Sequence, residues 1–263
     1  MPADRAGADR TTVGPDRVPA TAMSLSRSLV PTVTVLALAA SSAAAAGTTY
    51  AASAPTAPAV QRLAVLERAH DVFVAPDRDA ERRTRVARRR PITGVVTVLP
   101  VLREVTGAGG VRWLRVLLPG RPNGASGWIT ARATRRGTTE WRIRASLASR
   151  RVTVFHRGRA VRTFRAVIGA RETPTPRGRF FVEENVRLGP SRAGAPYALA
   201  LSARSGVLQE FDGGPGQIAL HGLGGVGGVL GTAASHGCLR LGDRAITWLS
   251  RRIVPGTPVT IGA

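Results

Sequence analysis

Lysine is absent from this chain: all 38 basic side chains are arginine, set against 16 acidic ones. A biased coding sequence is enough to explain arginine in place of lysine. The resulting formal charge of +22 still attracts anions through its long-range field. Nucleic acid, anionic lipid and anionic cell-wall polymers all answer to such a field, and composition does not choose among them. Cysteine is nearly absent as well; Cys238 stands alone, which excludes an intrachain disulfide. Large aromatic anchors are few, with four Trp and six Phe. The sequence shows no aromatic-plus-basic reading surface, which argues against a nucleic-acid partner. Apolar content, at 43%, is ordinary for a globular protein and excludes wholesale disorder. The 263 residues suffice for one large domain or two modest ones.

Residues 1–46 read as an N-terminal extension followed by a signal peptide or anchor. Within 23–46, Arg27 supplies a short positive region. Leu29 to Ala40 supply an apolar run, and Ala43 to Gly47 a small-residue cleavage site. The run is shorter than the ~18–20 residues of a spanning helix, so the expectation is export to the periplasm or cell wall. Membrane contact would then come only through an uncleaved signal segment. Met23 is an alternative start. Residues 47–61, with Pro55 and Pro58, read as a flexible linker.

Two folded units are expected beyond it. In residues 62–133, short apolar segments (Val72 to Val74, Val95 to Leu99, Trp113 to Leu118, Trp128-Ile129) alternate with turn formers. That spacing predicts a small β-barrel, and the stretch from Trp113 to Ile129 resembles the bacterial Src-homology type, a candidate wall-binding module. Its arginines, among them Arg82, Arg83, Arg85 and Arg88 to Arg90, read as a solvated face. Residues 140–263 are also mainly β. Val152 to Phe155 and Val161 to Ile168 flank an Arg157-Gly158-Arg159 turn and predict a hairpin. Strands are expected at Phe180 to Val182, Tyr197 to Leu201, Ile218 to Leu220 and Val259 to Ile261. One helix is expected from Asp243 to Ile253, with Asp243 as its N-cap.

The chemistry concentrates in His221-Gly222, a glycine-rich loop, and Ser235-His236-Gly237-Cys238-Leu239-Arg240. A lone exported thiol admits three readings: an inert packed side chain, an intermolecular bridge, or a nucleophile. A thiol with a pKa near ~8.5 needs help to react at neutral pH, and an imidazole within reach is the usual help. His221 and His236 both lie close before Cys238. Gly237 permits a sharp turn that exposes sulfur and aims backbone N–H groups at a developing oxyanion. Nucleophile, base and oxyanion donors together make a kit for acyl transfer. Zinc binding by the two histidines and the cysteine is the competing reading, but it lacks an evident fourth ligand. A formal G-x-G-x-x-G at Gly222, Gly224 and Gly227 is rejected as a dinucleotide site, because Gly228, Gly231 and the serine–histidine–glycine turn interrupt the helix that motif needs. His70 and His156 read as structural or surface residues.

The pairing of His221-Gly222 with Ser235 to Arg240 resembles the signature of the L,D-transpeptidase catalytic domain. So do Gly169 with Thr173 to Phe180, and the closing Pro255 to Val259. The resemblance implies a β-sandwich-like catalytic domain preceded by the small β-barrel. It implies Cys238 as nucleophile and His221 as base, with the Gly222 carbonyl orienting the imidazole. Gly237 and Cys238 N–H would bind the oxyanion, and Ser235 and His236 would shape the turn. Arg240 and Tyr197 become candidates for substrate binding. The partners implied are peptidoglycan stem peptides, with anionic wall polymers as a further candidate; no metal and no cofactor are called for. Cross-linking through a thioacyl intermediate is the implied activity. L,D-carboxypeptidase action and a catalytically silent wall-binding protein are the alternatives.

Overall fold

The computed structural model describes residues 59–210 and 213–263. The expected signal segment and nearly all of the linker lie outside them; Gln61, at the linker's end, already begins the first strand. Among the described residues no helix is long and apolar enough to cross a membrane.

The first sheet contains β1 (Gln61–Leu66), β2 (His70–Phe73), β3 (Arg82–Val86), β4 (Val98–Thr106), β5 (Arg112–Leu117), β6 (Ser126–Thr130) and β7 (Thr134–Thr139). Its order is β3-β2-β6-β5-β4-β1-β7, with every neighbouring pair antiparallel. Leu66, Val72, Leu99, Val116 and Ile129 are fully buried at its centre. Residues Thr134–Thr139 fall between the two expected units yet pair along their whole length with β1. Nothing apolar announces this strand; it is a polar edge whose partner is supplied by the fold.

The second part comprises β8 (Trp141–Ser146), β9 (Arg151–His156), β10 (Arg159–Arg165), β11 (Ile168–Gly169), β12 (Gly178–Arg187), β13 (Tyr197–Arg204), β14 (Gln217–His221), β15 (Ala233–Ser235), β16 (Leu239–Arg240), α1 (Asp243–Ser250) and β17 (Pro258–Gly262). Eight of these strands form one mixed sheet in the order β10-β9-β8-β17-β12-β13-β14-β16. The β9–β10 hairpin turns through Arg157 and Gly158, both at positive φ (51° and 77°), which suits the twist of the flanking strands. The long strand β12 is the hinge of the sheet. Gly178 to Phe181 pair with β17; from Val182 on the strand pairs with β13, with a register shift between Val182 and Glu184. Such an irregularity bends and twists a strand. The two halves therefore curl around one core, in which Ile143, Val154 and Phe180 from one half meet Leu199, Ile218 and Leu220 from the other. This is the sandwich-like, mainly β fold expected. Helix α1 packs Ile246 and Leu249 onto that core, beside β13 and β14. It ends at Ser250; Ile253 lies beyond it and is buried all the same.

The two sheets share a buried seam along β12. Successive side chains of a strand point to opposite faces. Phe180 enters the second core, while Phe181 enters the first. Glu183, fully buried, is held by Arg90 from the first sheet's side and by Arg204 of β13. Arg90 is thus a correction to the solvated face expected for the arginines; Arg82, Arg83 and Arg85 do face solvent. Glu184 accepts hydrogen bonds from the backbone of Ile92 (3.2 Å) and Thr93 (2.7 Å) and from the Thr93 hydroxyl (2.6 Å). Asn123 pairs with the backbone of Arg204 in both directions, at 2.7 and 2.8 Å.

Candidate active site

Strands β14 and β16 run parallel, with Leu220 opposite Leu239 and His221 opposite Arg240. Leu220 and Leu239 are both fully buried. Alternation therefore turns Ala219, His221, Cys238 and Arg240 to the opposite, more accessible face. The sequence separates His221 from Cys238 by a long glycine-rich loop, and the strand pair brings them back onto one surface. The Ala219 N–H points at the Cys238 sulfur at 3.4 Å.

The turn before Cys238 is built by Ser235. Its buried hydroxyl accepts from the Gly237 N–H (3.2 Å) and donates to the Cys238 carbonyl (2.6 Å). Its own carbonyl accepts from the Ala170 N–H (2.8 Å) and the Thr173 hydroxyl (3.1 Å), which ties the turn to the segment after β11. Gly237 sits at φ +110°, a conformation L side chains rarely adopt. Its N–H donates to the Ser235 hydroxyl, so Gly237 shapes the turn. His236 is exposed on the same turn.

His221 is oriented by backbone. Its Nδ1 lies 2.8 Å from the Gly222 carbonyl. A carbonyl can only accept, so Nδ1 carries the proton and Nε2 keeps its lone pair. Position 222 has no room for a side chain, since a Cβ there would stand 1.9 Å from the Ala195 carbonyl oxygen. Gly194 lies against the ring, where a Cβ would come within 2.8 Å of Nδ1. The Leu223 N–H donates to Asp243 Oδ1 at 2.9 Å. Asp243 is not the helix cap expected: the cap position is Gly242, and no side chain caps the helix.

Arg240 faces the same surface. Its Nη1 donates to the carbonyls of Val226 (3.2 Å) and Gly227 (3.3 Å), and its Nε is buried without a partner. It thereby holds the glycine-rich loop. Tyr197 takes a different direction. Ala198 is paired with His221, so its neighbour Tyr197 turns to the other face and packs against the core. It does not join His221 and Cys238.

Burial sets the protonation of the pair. It pushes the Cys238 thiol above the ordinary thiol range, against smaller opposing effects from the Ala219 N–H and the Arg240 charge. It pushes His221 below the usual imidazole range; the Gly222 hydrogen bond opposes that, and Arg240 adds to it. Both directions leave Cys238 a thiol and His221 a neutral imidazole at neutral pH. Ala219 and Gly194 were not singled out for this site by the sequence, and Asp243 was read as a helix cap, because their roles come from backbone placement or from a partner 20 residues away. Among the described residues no group of three or more metal-ligating side chains converges.

Comparison with known proteins gives this geometry a family. The model of the YkuD family, L,D-transpeptidase catalytic domain, matches residues 140–261. A Bacillus licheniformis protein named as the L,D-transpeptidase YkuD is 30% identical over 124 residues, covering 47% of this chain and 67% of its own. The structure of an L,D-transpeptidase from Mycobacterium smegmatis aligns at 19% identity over 63% of this chain and 99% of that one, with a TM-score of 0.37. An L,D-transpeptidase from Enterococcus faecium aligns at 18% over 46% of this chain and 48% of its own, with a TM-score of 0.36, so the chain spans about half of that relative's length. At such scores the structural likenesses add nothing to the sequence match. On the family match and the curated relative, the chain belongs to the L,D-transpeptidase catalytic domain family, YkuD.

Proposed function

We propose that this protein is an extracytoplasmic L,D-transpeptidase that cross-links peptidoglycan stem peptides through a thioacyl intermediate on Cys238. One observation carries the reading. The His221–Arg240 register and the Ala219 N–H contact to the Cys238 sulfur put His221 and Cys238 on one face, and the proton on Nδ1 leaves Nε2 as the base. Because the resting pair is neutral, proton transfer accompanies attack. His221 Nε2 takes the Sγ proton as sulfur bonds to the carbonyl carbon of the stem tetrapeptide's third residue. The Cys238 N–H faces the developing oxyanion. The bond to the terminal D-alanine then breaks, and the imidazolium gives its proton to the leaving amine. A side-chain amine of a second stem attacks the thioester while His221 accepts its proton. The C–S bond breaks as the amide forms, and His221 returns the proton to sulfur. No metal or organic cofactor enters these steps.

The arginine-rich surface of residues 62–133 suits retention on an anionic wall, and residues 23–46 suit export. Retention should then weaken as salt screens the charge; release that ignores salt would count against this part. The central test is intact-mass analysis of the protein and its Cys238→Ser variant after incubation with a disaccharide-tetrapeptide. The expected result is an adduct with loss of D-alanine on the native protein alone. Hydrolysed product without cross-links, even with an amine acceptor supplied, would reassign the activity to L,D-carboxypeptidase. No adduct and no turnover from folded, reduced protein would overturn the enzymatic reading in favour of a silent wall-binding one.

A further inference from the structure

Gly222 has no side chain to orient His221, and the Ala195 carbonyl leaves no space for one. What stands in that place is a peptide group. Its carbonyl, from Gly222, accepts the His221 Nδ1–H at 2.8 Å; its N–H, from Leu223, donates to Asp243 Oδ1 at 2.9 Å. These are the two ends of one planar, resonant amide. A carboxylate drawing on the N–H end moves electron density toward the oxygen, which makes that oxygen a better acceptor. We propose that Asp243 is the positioning residue of His221, its carboxylate acting through the Gly222–Leu223 peptide. The proposal rests on the reading of His221 as the base.

Three further observations support the assignment. First, the Asp243 carboxylate serves the loop and not the helix, since no side chain caps α1. Second, α1 is a firm carrier: Ile246 and Leu249 on the next turns are fully buried in the catalytic core, so the carboxylate is delivered by a packed element. Third, the ring has an uncompensated cation beside it. Arg240 on β16 faces both His221 and Cys238, and its charge disfavours an imidazolium. On its other sides the ring meets uncharged residues of β13 and the segment before it: Ala198 lies opposite His221, and Gly194 lies against the ring; the titratable His236 sits on the turn before Cys238. When the imidazole takes the thiol proton, the carboxylate end of the relay is an anion connected to the new charge. The linkage also fixes the tautomer, because the peptide oxygen accepts only from a protonated Nδ1. Asp243 thus plays, at one peptide's remove, the part that a carboxylate plays directly beside histidine in other hydrolytic triads.

The test reads His221 itself as well as turnover. Asp243 is exposed, so Asp243→Ala and the near-isosteric Asp243→Asn leave the core intact. In the native protein, NMR of ring-15N-labelled histidine should show a single His221 tautomer, protonated at Nδ1, with a downfield Nδ1–H proton. In Asp243→Ala that proton should move upfield and the Nε2–H tautomer should become detectable; Asp243→Asn, which keeps a neutral acceptor, should fall between. With the disaccharide-tetrapeptide, kcat for Asp243→Ala should drop about 10-fold with KM within about twofold, as for a group felt in the transition state. The acidic limb of kcat/KM should move to lower pH as the imidazolium loses support. An unchanged tautomer and Nδ1–H resonance in Asp243→Ala, or an unchanged kcat, overturns the proposal. If the native protein forms no adduct at all, the function assigned to Cys238 fails, while the resonance still decides whether Asp243 controls His221.

Discussion

The catalytic turn and the seam between the sheets both take polar groups out of water, and they solve that problem in opposite ways. At the seam the groups stay charged. Glu183 is fully buried, and Arg90 and Arg204 close around it. Burial brings Arg204 down to about 10, with a smaller contribution from the Arg121 charge, yet it remains a cation at neutral pH. At the catalytic turn the groups give up charge. Burial raises the Cys238 thiol and lowers His221, and the hydrogen bonds around them come from backbone N–H groups, carbonyls and the Ser235 hydroxyl. A buried charge is tolerable only when paired, and an ionisable group without a partner neutralises instead. The seam accordingly fixes architecture, while the turn keeps a proton available to move. Asp243, exposed and one peptide away, lets the second region borrow a little of the first region's method.

The widest break in that comparison is removal of the first sheet. A chain limited to residues 140–263 would expose Phe181 to water and leave Glu183 with Arg204 alone. It should lose the cooperative unfolding transition of the longer chain, followed by circular dichroism. A separate, equally cooperative domain would show the seam to be incidental. A smaller break is Glu183→Gln, which leaves two buried arginines facing a neutral amide. It should cost about 3–5 kcal/mol in denaturant unfolding. Phe181→Ala should cost a similar ~3–5 kcal/mol through lost burial and a cavity on the first sheet's side.

The catalytic side of the comparison is sharpened by pH. A raised thiol pKa means less thiolate at pH 7–8 than a free cysteine has. Alkylation of Cys238 by iodoacetamide should therefore be slow there and should rise with pH through a midpoint above the ordinary thiol range. A plateau already reached near neutrality would mean a preformed thiolate–imidazolium pair and would refute the neutral resting state. The smallest expected effect belongs to the solvent-facing counterpart of the seam. There Glu104 meets Arg62 (3.0 Å), Arg112 (2.7 Å) and Arg136 (3.5 Å), all at least half exposed or nearly so. Glu104→Gln should change stability by about 1 kcal/mol or less, and less still in high salt. A loss comparable to that of Glu183→Gln would erase the distinction between paired charges in water and paired charges in the seam.

The sequence by itself determined the elements that carry their own periodicity. Apolar residues at alternate positions mark β9 and β17, and the arginine–glycine turn marks the hairpin from β9 to β10. Apolar spacing marks α1, and the histidine, glycine and cysteine of the turn are legible as local chemistry. Tertiary structure alone decided whatever depends on a partner far along the chain. The polar strand β7 exists because β1 pairs with it. Arg90 is buried because Glu183 receives it from 93 residues away. Tyr197 leaves the site because its register with His221 turns it to the core face. Asp243 becomes a holder of the Gly222–Leu223 peptide because α1 packs beside β14. The reason is physical. Propensity and amphipathic pattern are properties of short segments, whereas pairing, burial and the charge state of a buried group depend on which surfaces the folded chain brings together.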